Sequence, residues 1–292
     1  MKKYIGIVAL ALLAVGCNEN DNNAFDPNEI RVEAAHPATR ATATAFEQGD
    51  VMSLYAVEYS GDVVAELQPS GNYINNEAMT YDGTQWVAPR TLYWSANPCD
   101  FYAIYPYREL ISMKEVLFEV ATDQSTVESE DALSGYEASD LMWAKAEKKS
   151  QSDGAVQMQF RHMLSRLVVK IERGAKFEGE IPEDAVAHIY NTATTAKVDF
   201  TIGSLEKYLF SETKTIKMRK IDNETFEAII VPQFIERSTP LVEITMEGVA
   251  YLLNYSMSFR PGYQHTITVT LNTSPDQEKI EISIDGEVGE WE

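Results

Sequence analysis

Short runs in which apolar and polar residues alternate recur along most of the chain. Val242, Ile244 and Met246 alternate with Glu243 and Thr245. His265, Ile267, Val269 and Leu271 alternate with Thr266, Thr268 and Thr270, and Ile280, Ile282 and Ile284 with Glu281 and Ser283. A period of two places each apolar set on one face of a strand. Ile30, Val32 and Ala34 repeat the pattern more weakly near the start, so 29–35 reads as an early strand with Ile30 and Val32 facing in. Val51–Tyr59 and Phe101–Tyr105 are denser runs, rich in the β-branched and aromatic residues that suit a pleated, half-buried surface. Phe226–Val231 is another, and it stops at Pro232, which has no N–H for a ladder. Gly61-Asp62, Pro69-Ser70-Gly71-Asn72 and Asn97-Pro98 punctuate the runs as turns. No segment carries a long 3.6-residue apolar stripe. Short strands between regular turn signals predict an all-β sandwich fold.

One run changes phase. Phe160, His162 and Leu164 share one parity, whereas Leu167, Val169 and Ile171 share the other. An extra residue near Ser165-Arg166, accommodated as a β-bulge, would keep both ends facing the core. The charged, Ser- and Gly-containing stretch 145–154 is the predicted boundary between two halves, giving domains over 46–154 and 155–292.

The first residues differ from all of this. Lys2 and Lys3 precede an apolar stretch, Ile5 to Val15, that is short for a membrane span. It ends in Ala14-Val15-Gly16-Cys17, which resembles a bacterial lipobox, so 1–16 reads as a signal peptide and Cys17 as a lipidation site. Ordinary cleavage beside an incidental cysteine is the other reading. Asn18 to Asn23 is polar and acidic, and 17–45 reads as a tether followed by the early strand.

Charge and chemistry narrow the function by exclusion. With 45 Asp and Glu against 24 Lys and Arg, the net charge is -21, a field that repels nucleic acid. The two cysteines, Cys17 and Cys99, allow no disulfide framework or thiolate cluster, and Cys99 reads as a small half-buried hydrophobe. The four histidines have no zinc spacing, and no nucleophile elbow, P-loop or dinucleotide fingerprint is present. His162 and His265 sit on apolar strand parity and read as half-buried residues bonded to backbone, not as general bases. No enzyme activity, cofactor or metal is expected. Trp86, Trp94, Trp143, Tyr102 and Tyr105 are candidates for a sugar platform, although their placement within strands favours the core.

Five stretches together resemble a known family. They are Phe101-Tyr102-Ala103-Ile104-Tyr105-Pro106, Asp140-Leu141-Met142-Trp143-Ala144, Phe160-Arg161-His162-Met163-Leu164-Ser165-Arg166-Leu167, Ile229-Ile230-Val231-Pro232-Gln233 and Pro261-Gly262-Tyr263-Gln264-His265. In this order, and behind the lipobox, they are similar to the Bacteroidales fimbrillin family, in particular its Mfa-like branch. His265 fills a slot where the family usually has an aromatic residue. The resemblance implies two transthyretin-like β-sandwich domains, export as a lipoprotein to the outer-membrane surface, and assembly into a pilus. It also implies removal of the leading strand by an arginine-specific protease and its replacement by a strand from a neighbouring subunit. On this sequence Arg40 is the expected scissile residue, with Arg31 second. The expected donor strand carries Ile280, Ile282, Ile284 and Val288, which also read simply as the chain's last strand. Other fimbrial subunits, the outer membrane and a host protein or glycan are the implied partners. A surface glycan-binding lipoprotein is the alternative function.

Overall fold

A computed structural model describes residues 26–35, 46–127, 129, 132–272 and 282–291. Cys17, Arg40 and Ile280, with the whole of 1–16, lie outside the described residues. The regular secondary structure is nearly all strand, as the alternation predicts.

In the first half, β1 is Val32–Ala35, β2 Val51–Ser60, β3 Ile74–Tyr81 and β4 Cys99–Tyr105. They are followed by β5 at Val116–Glu119, β6 at Met142–Lys149, β7 at Val156–Gln159 and β8 at Arg161–His162. One sheet runs β8-β6-β4-β2-β3, with the short strand Trp86–Val87 beyond β3. Every residue of β4 is buried. Its sequence is continuously apolar and aromatic except for Asp100, and the sheet is accordingly covered on both faces. Phe101, Ala103 and Tyr105 face one core with Met52 and Leu54, while Tyr102 and Ile104 face another with Tyr55 and Val57.

In the second half, β9 is Ser165–Arg173, β10 Val186–Ala193, β11 Thr195–Asp199, β12 Ser204–Lys207 and β13 Thr213–Lys217. The rest are β14 at Thr225–Ile230, β15 at Pro240–Met246, β16 at Val249–Asn254, β17 at Tyr263–Leu271 and β18 at Ile282–Glu290. β9 lies between β14, antiparallel to it, and β17, parallel to it, and β18 forms the sheet edge beyond β17. A second sheet runs β13-β10-β15-β16. Leu167, Val169 and Ile171 of the first sheet share one core with Ile189, Val242 and Ile244 of the second, which is the packing of a sandwich.

Two features differ from the sequence expectation. The phase change after Phe160 is not a bulge: His162 pairs with Met142 in the sheet of β6, whereas Ser165 pairs with Ile230 in the sheet of β14 without a register shift. The chain changes sheet across the buried pair Met163 and Leu164, and with it the direction of its apolar face. The boundary at 154/155 also misses the packing. Val156, Met158 and Phe160 belong to the same core as Ile30, Val32 and Met52. Moreover, β5 from the first half pairs with β11, which pairs with β12, so one three-stranded sheet is drawn from both halves.

Candidate assembly site

The early strand is seated within the fold. The Trp94 N–H donates to the Asn28 carbonyl at 2.9 Å and the Ile30 N–H to the Leu92 carbonyl at 2.8 Å. On its other side the Val156 N–H donates to the Arg31 carbonyl at 2.8 Å, and β1 then runs parallel to β7 with Val32 opposite Val156. Ile30 and Val32 are buried among Trp86, Leu92, Val156 and Met158, while Arg31 and Glu33 face solvent. The alternation read from the sequence is therefore the alternation in space. Burying the two side chains stabilises this seat by about 3–6 kcal/mol. Without residues 28–35, an apolar furrow would lie between two backbone edges, Leu92–Trp94 and β7. Arg31 lies within this ladder, its carbonyl engaged, and is a poor substrate for a protease that needs an extended accessible peptide.

At the other end, β18 closes the β17 edge. Ile284 pairs with Val269, Gly286 with Ile267 and Val288 with His265, and Ile282 pairs by its backbone with Leu271. Ile284 packs on the main core, but Val288 is 49% exposed. The strand that reads as a donor thus occupies its own sheet edge here. A Cβ on Gly286 would overlap the Tyr255 hydroxyl, so glycine sets how closely β18 can lie. Past the strand, Trp291 is buried and stacks on His162, with ring centroids 3.7 Å apart and planes 6° from parallel. The Trp291 N–H donates to the Gly262 carbonyl at 3.0 Å.

The histidines divide. His162 Nδ1 lies 2.7 Å from Asp140 Oδ1, so its partner is a carboxylate and not the expected backbone group. His265 does bond to backbone: its Nε2 accepts from the Arg260 N–H at 3.1 Å. Burial pushes its pKa down to about 4, which keeps the ring a neutral acceptor. Burial also raises the Cys99 thiol to about 11 and leaves it protonated at neutral pH. Among the described residues no three His, Cys, Asp or Glu side chains converge as metal ligands would.

Sequence reasoning missed a buried charge cluster. Glu227 accepts from Arg166 Nε at 2.9 Å through one oxygen and from Arg219 Nε at 2.7 Å through the other, and the Tyr136 hydroxyl donates at 3.3 Å. Arg219 also lies over the Tyr136 ring at 3.8 Å. Two charged residues flanked by apolar ones, Arg166 beside Leu167-Val168-Val169 and Glu227 between Phe226 and Ala228, were the available signal. The proposed sugar platform does not form at its named residues. Trp86, Trp143, Tyr102 and Tyr105 are buried, and Trp94 packs edge-on against Phe101. The Trp143 indole N–H donates to the Phe200 carbonyl at 2.8 Å and the Tyr105 hydroxyl to Asp50 at 2.7 Å, as core residues with polar ends do.

Paired sheets, an early strand seated between Leu92–Trp94 and β7, and β18 at the edge of its sheet define a β-sandwich protein. The chain belongs to the fimbrillin-like family, whose sequence profile matches residues 39–291. It is similar in fold to a candidate cell adhesion protein from Bacteroides uniformis, with 23% identity, a TM-score of 0.65, and 90% of this chain and 98% of that chain covered. A second candidate cell adhesion protein, from Bacteroides ovatus, is 15% identical with a TM-score of 0.66 over 92% of this chain and 98% of the other. A fimbrial protein of the same organism is 17% identical with a TM-score of 0.52, covering 86% of this chain and 51% of that one. No curated protein matches. The family is one of fimbrial structural subunits and not of known enzymes, which makes this chain a fimbrial subunit of the cell surface. Among the described residues no helix is long and apolar enough to cross a membrane.

Proposed function

We propose that this subunit polymerises by exchanging its leading strand for the last strand of a neighbour. The precursor is exported through its signal peptide, acylated at Cys17 and held by the tether at the outer membrane. Hydrolysis of the peptide bond after Arg40 frees 28–35, and the furrow between Leu92–Trp94 and β7 accepts a strand carrying Ile280, Ile282, Ile284 and Val288 from another copy or another fimbrial subunit. Main-chain bonds supply affinity and alternate apolar side chains supply register. Donor and acceptor are different surfaces, so the contact is head-to-tail and builds an open filament.

The observation that carries this reading is the seat of Ile30 and Val32. The strand has main-chain bonds on both sides and two buried side chains. Yet it lies wholly before residue 39, where the family profile begins one residue short of Arg40. The test is limited digestion of the full chain with an arginine-specific protease, followed by N-terminal sequencing and denaturing gels. A new terminus at Ala41, accompanied by a ladder of multimers, is expected. A ladder that persists in Arg40→Ala removes this cleavage site.

A further inference from the structure

The sheet shared by the two halves has an outer face with no part in the strand seat or the β18 edge. Its register fixes that face. Ala196, Val198 and Phe118 point into the core, so Thr195, Lys197, Leu117, Glu119 and Glu206 point out. β12 continues to Tyr208, whose N–H donates to the Thr195 carbonyl at 3.0 Å. Successive outward rows lie about 7 Å apart, and three strands span about 10 Å, so the face is a plate of sugar-sized dimensions.

An aromatic corner stands at one end of this plate. The turn after β12 is pinned twice: the Ser211 N–H donates to the Tyr208 carbonyl at 3.0 Å, and the Thr195 N–H donates to the Ser211 hydroxyl at 2.9 Å. The pinned turn holds Phe210 out of the fold at 75% exposure, edge-on to Tyr208 with centroids 5.6 Å apart. Beside the two rings is a cleft of about 410 Å³, lined also by Leu117, Glu119, Thr195 and Lys214. Glu119 is fixed in turn: the Lys214 ammonium donates to it at 2.5 Å and the Thr194 hydroxyl at 3.2 Å. Those bonds hold its pKa below the usual carboxylate range, so it is an ionised acceptor at neutral pH. A second cleft of about 590 Å³ continues along the same face over Lys197, Asp199, Ser204 and Glu206.

We infer that this plate binds a neutral glycan, with a pyranose ring stacked on Phe210, which Tyr208 braces edge-on, and its hydroxyls bonded to Glu119, Thr195 and Lys214. The exposed Phe210 ring, braced edge-on by Tyr208, offers an apolar surface of the size of one sugar face, and binding sites add a few placed polar groups to such a surface. The charges choose the class. Carboxylates outnumber ammonium groups along both clefts, so sialylated or sulfated sugars are disfavoured. A second protein chain fits less well. Of the outward residues on the three strands only Leu117 is aliphatic, and interface centres are depleted of the Lys and Glu that surround it.

The experiment is calorimetric titration of the full chain with neutral hexaoses of mannose, glucose and galactose, and with 6′-sialyllactose as the acidic counterpart. Saturable binding of at least one neutral hexaose is expected, in the millimolar range or tighter. Phe210→Ala should weaken it at least about tenfold without changing the melting temperature, since the ring is exposed. Phe234→Ala, a control at another exposed aromatic, should leave binding intact. The inference is overturned if no neutral hexaose binds, if Phe210→Ala binds as well as the parent, or if sialyllactose binds more tightly. It is equally overturned if Phe210→Ala alters only the oligomeric state. Strand exchange at the other site is unaffected by any of these results.

Discussion

The indole of Trp291 lies flat on the imidazole of His162, 3.7 Å between centroids. One ring follows directly after β18 and the other belongs to β8 of the first half's sheet, where His162 is already bonded to Asp140. The segment just after β18 is thereby fastened to the first half's sheet, beyond the edge that β18 covers. Trp291→Ala should cost about 3 kcal/mol, as expected for truncating a buried tryptophan. It should also speed amide exchange along β18 more than along β9, read by hydrogen exchange. Uniform exchange in both strands would show that the stack does not hold the strand.

Gly286 predicts a steric effect. A side chain there meets Tyr255, so Gly286→Ala should destabilise the β17–β18 pairing by about 1–3 kcal/mol. Adding Tyr255→Ala should recover part of that loss. Denaturant unfolding of the two single variants and the double variant measures this coupling, and strict additivity would remove the explanation.

Glu227 predicts an electrostatic one. Two arginines bond to a carboxylate that is 1% exposed. Glu227→Ala should cost about 3–5 kcal/mol because it leaves Arg166 buried without its charge partner. Replacing the pair by Arg166→Met with Glu227→Leu should cost much less. Chemical denaturation of both variants decides between the two.

Acid stability follows from His265. An unshifted histidine titrates near 6.5, and this one is held down to about 4 by burial. Between those values the unfolded chain binds the proton and the folded chain does not. This contribution is therefore fully present above about pH 6.5 and is lost as the pH falls toward 4. His265→Asn should flatten the dependence of melting temperature on pH in that window while lowering stability at pH 7. An unchanged slope would exclude His265 as the group responsible.

The leading strand gives a kinetic expectation. Val32→Ala and Ile30→Ala each leave a void beneath the strand and should cost about 1–4 kcal/mol. Both should accelerate protease cleavage between the seat and residue 46, followed by time-resolved gels. Cleavage at the parental rate would mean that strand seating does not control access.

Much of this was legible in local pattern. Ile30 and Val32 alternate in sequence and face the core in space. The aromatic residues at 86, 102, 105 and 143 lie in or beside strands and are core. What was not legible depends on contacts between distant segments. The phase change at 160–171 could be absorbed by a bulge or by a change of sheet, and only the separate partners of His162 and Ser165 distinguish them. The acidic partner of Arg166 cannot be selected locally in a chain with 45 Asp and Glu. Phe210 sits in a turn with no strand periodicity, so its exposure becomes visible only when the sheet beneath it is built. A boundary drawn from composition placed Val156 with the residues after it, whereas parallel pairing with Val32 returned it to the residues before.

That boundary has a mechanical counterpart. Under the strand exchange proposed above, load on a filament would enter near the leading furrow, leave through the last strand and cross from one half of the subunit to the other. Here the crossing includes the antiparallel pairing of β5 with β11, whose hydrogen bonds lie transverse to the strands. A pull along those strands strains the bonds together and does not peel them one by one. A subunit loaded along those strands would extend little at low force and yield abruptly, as a stiff link and not as two beads on a string.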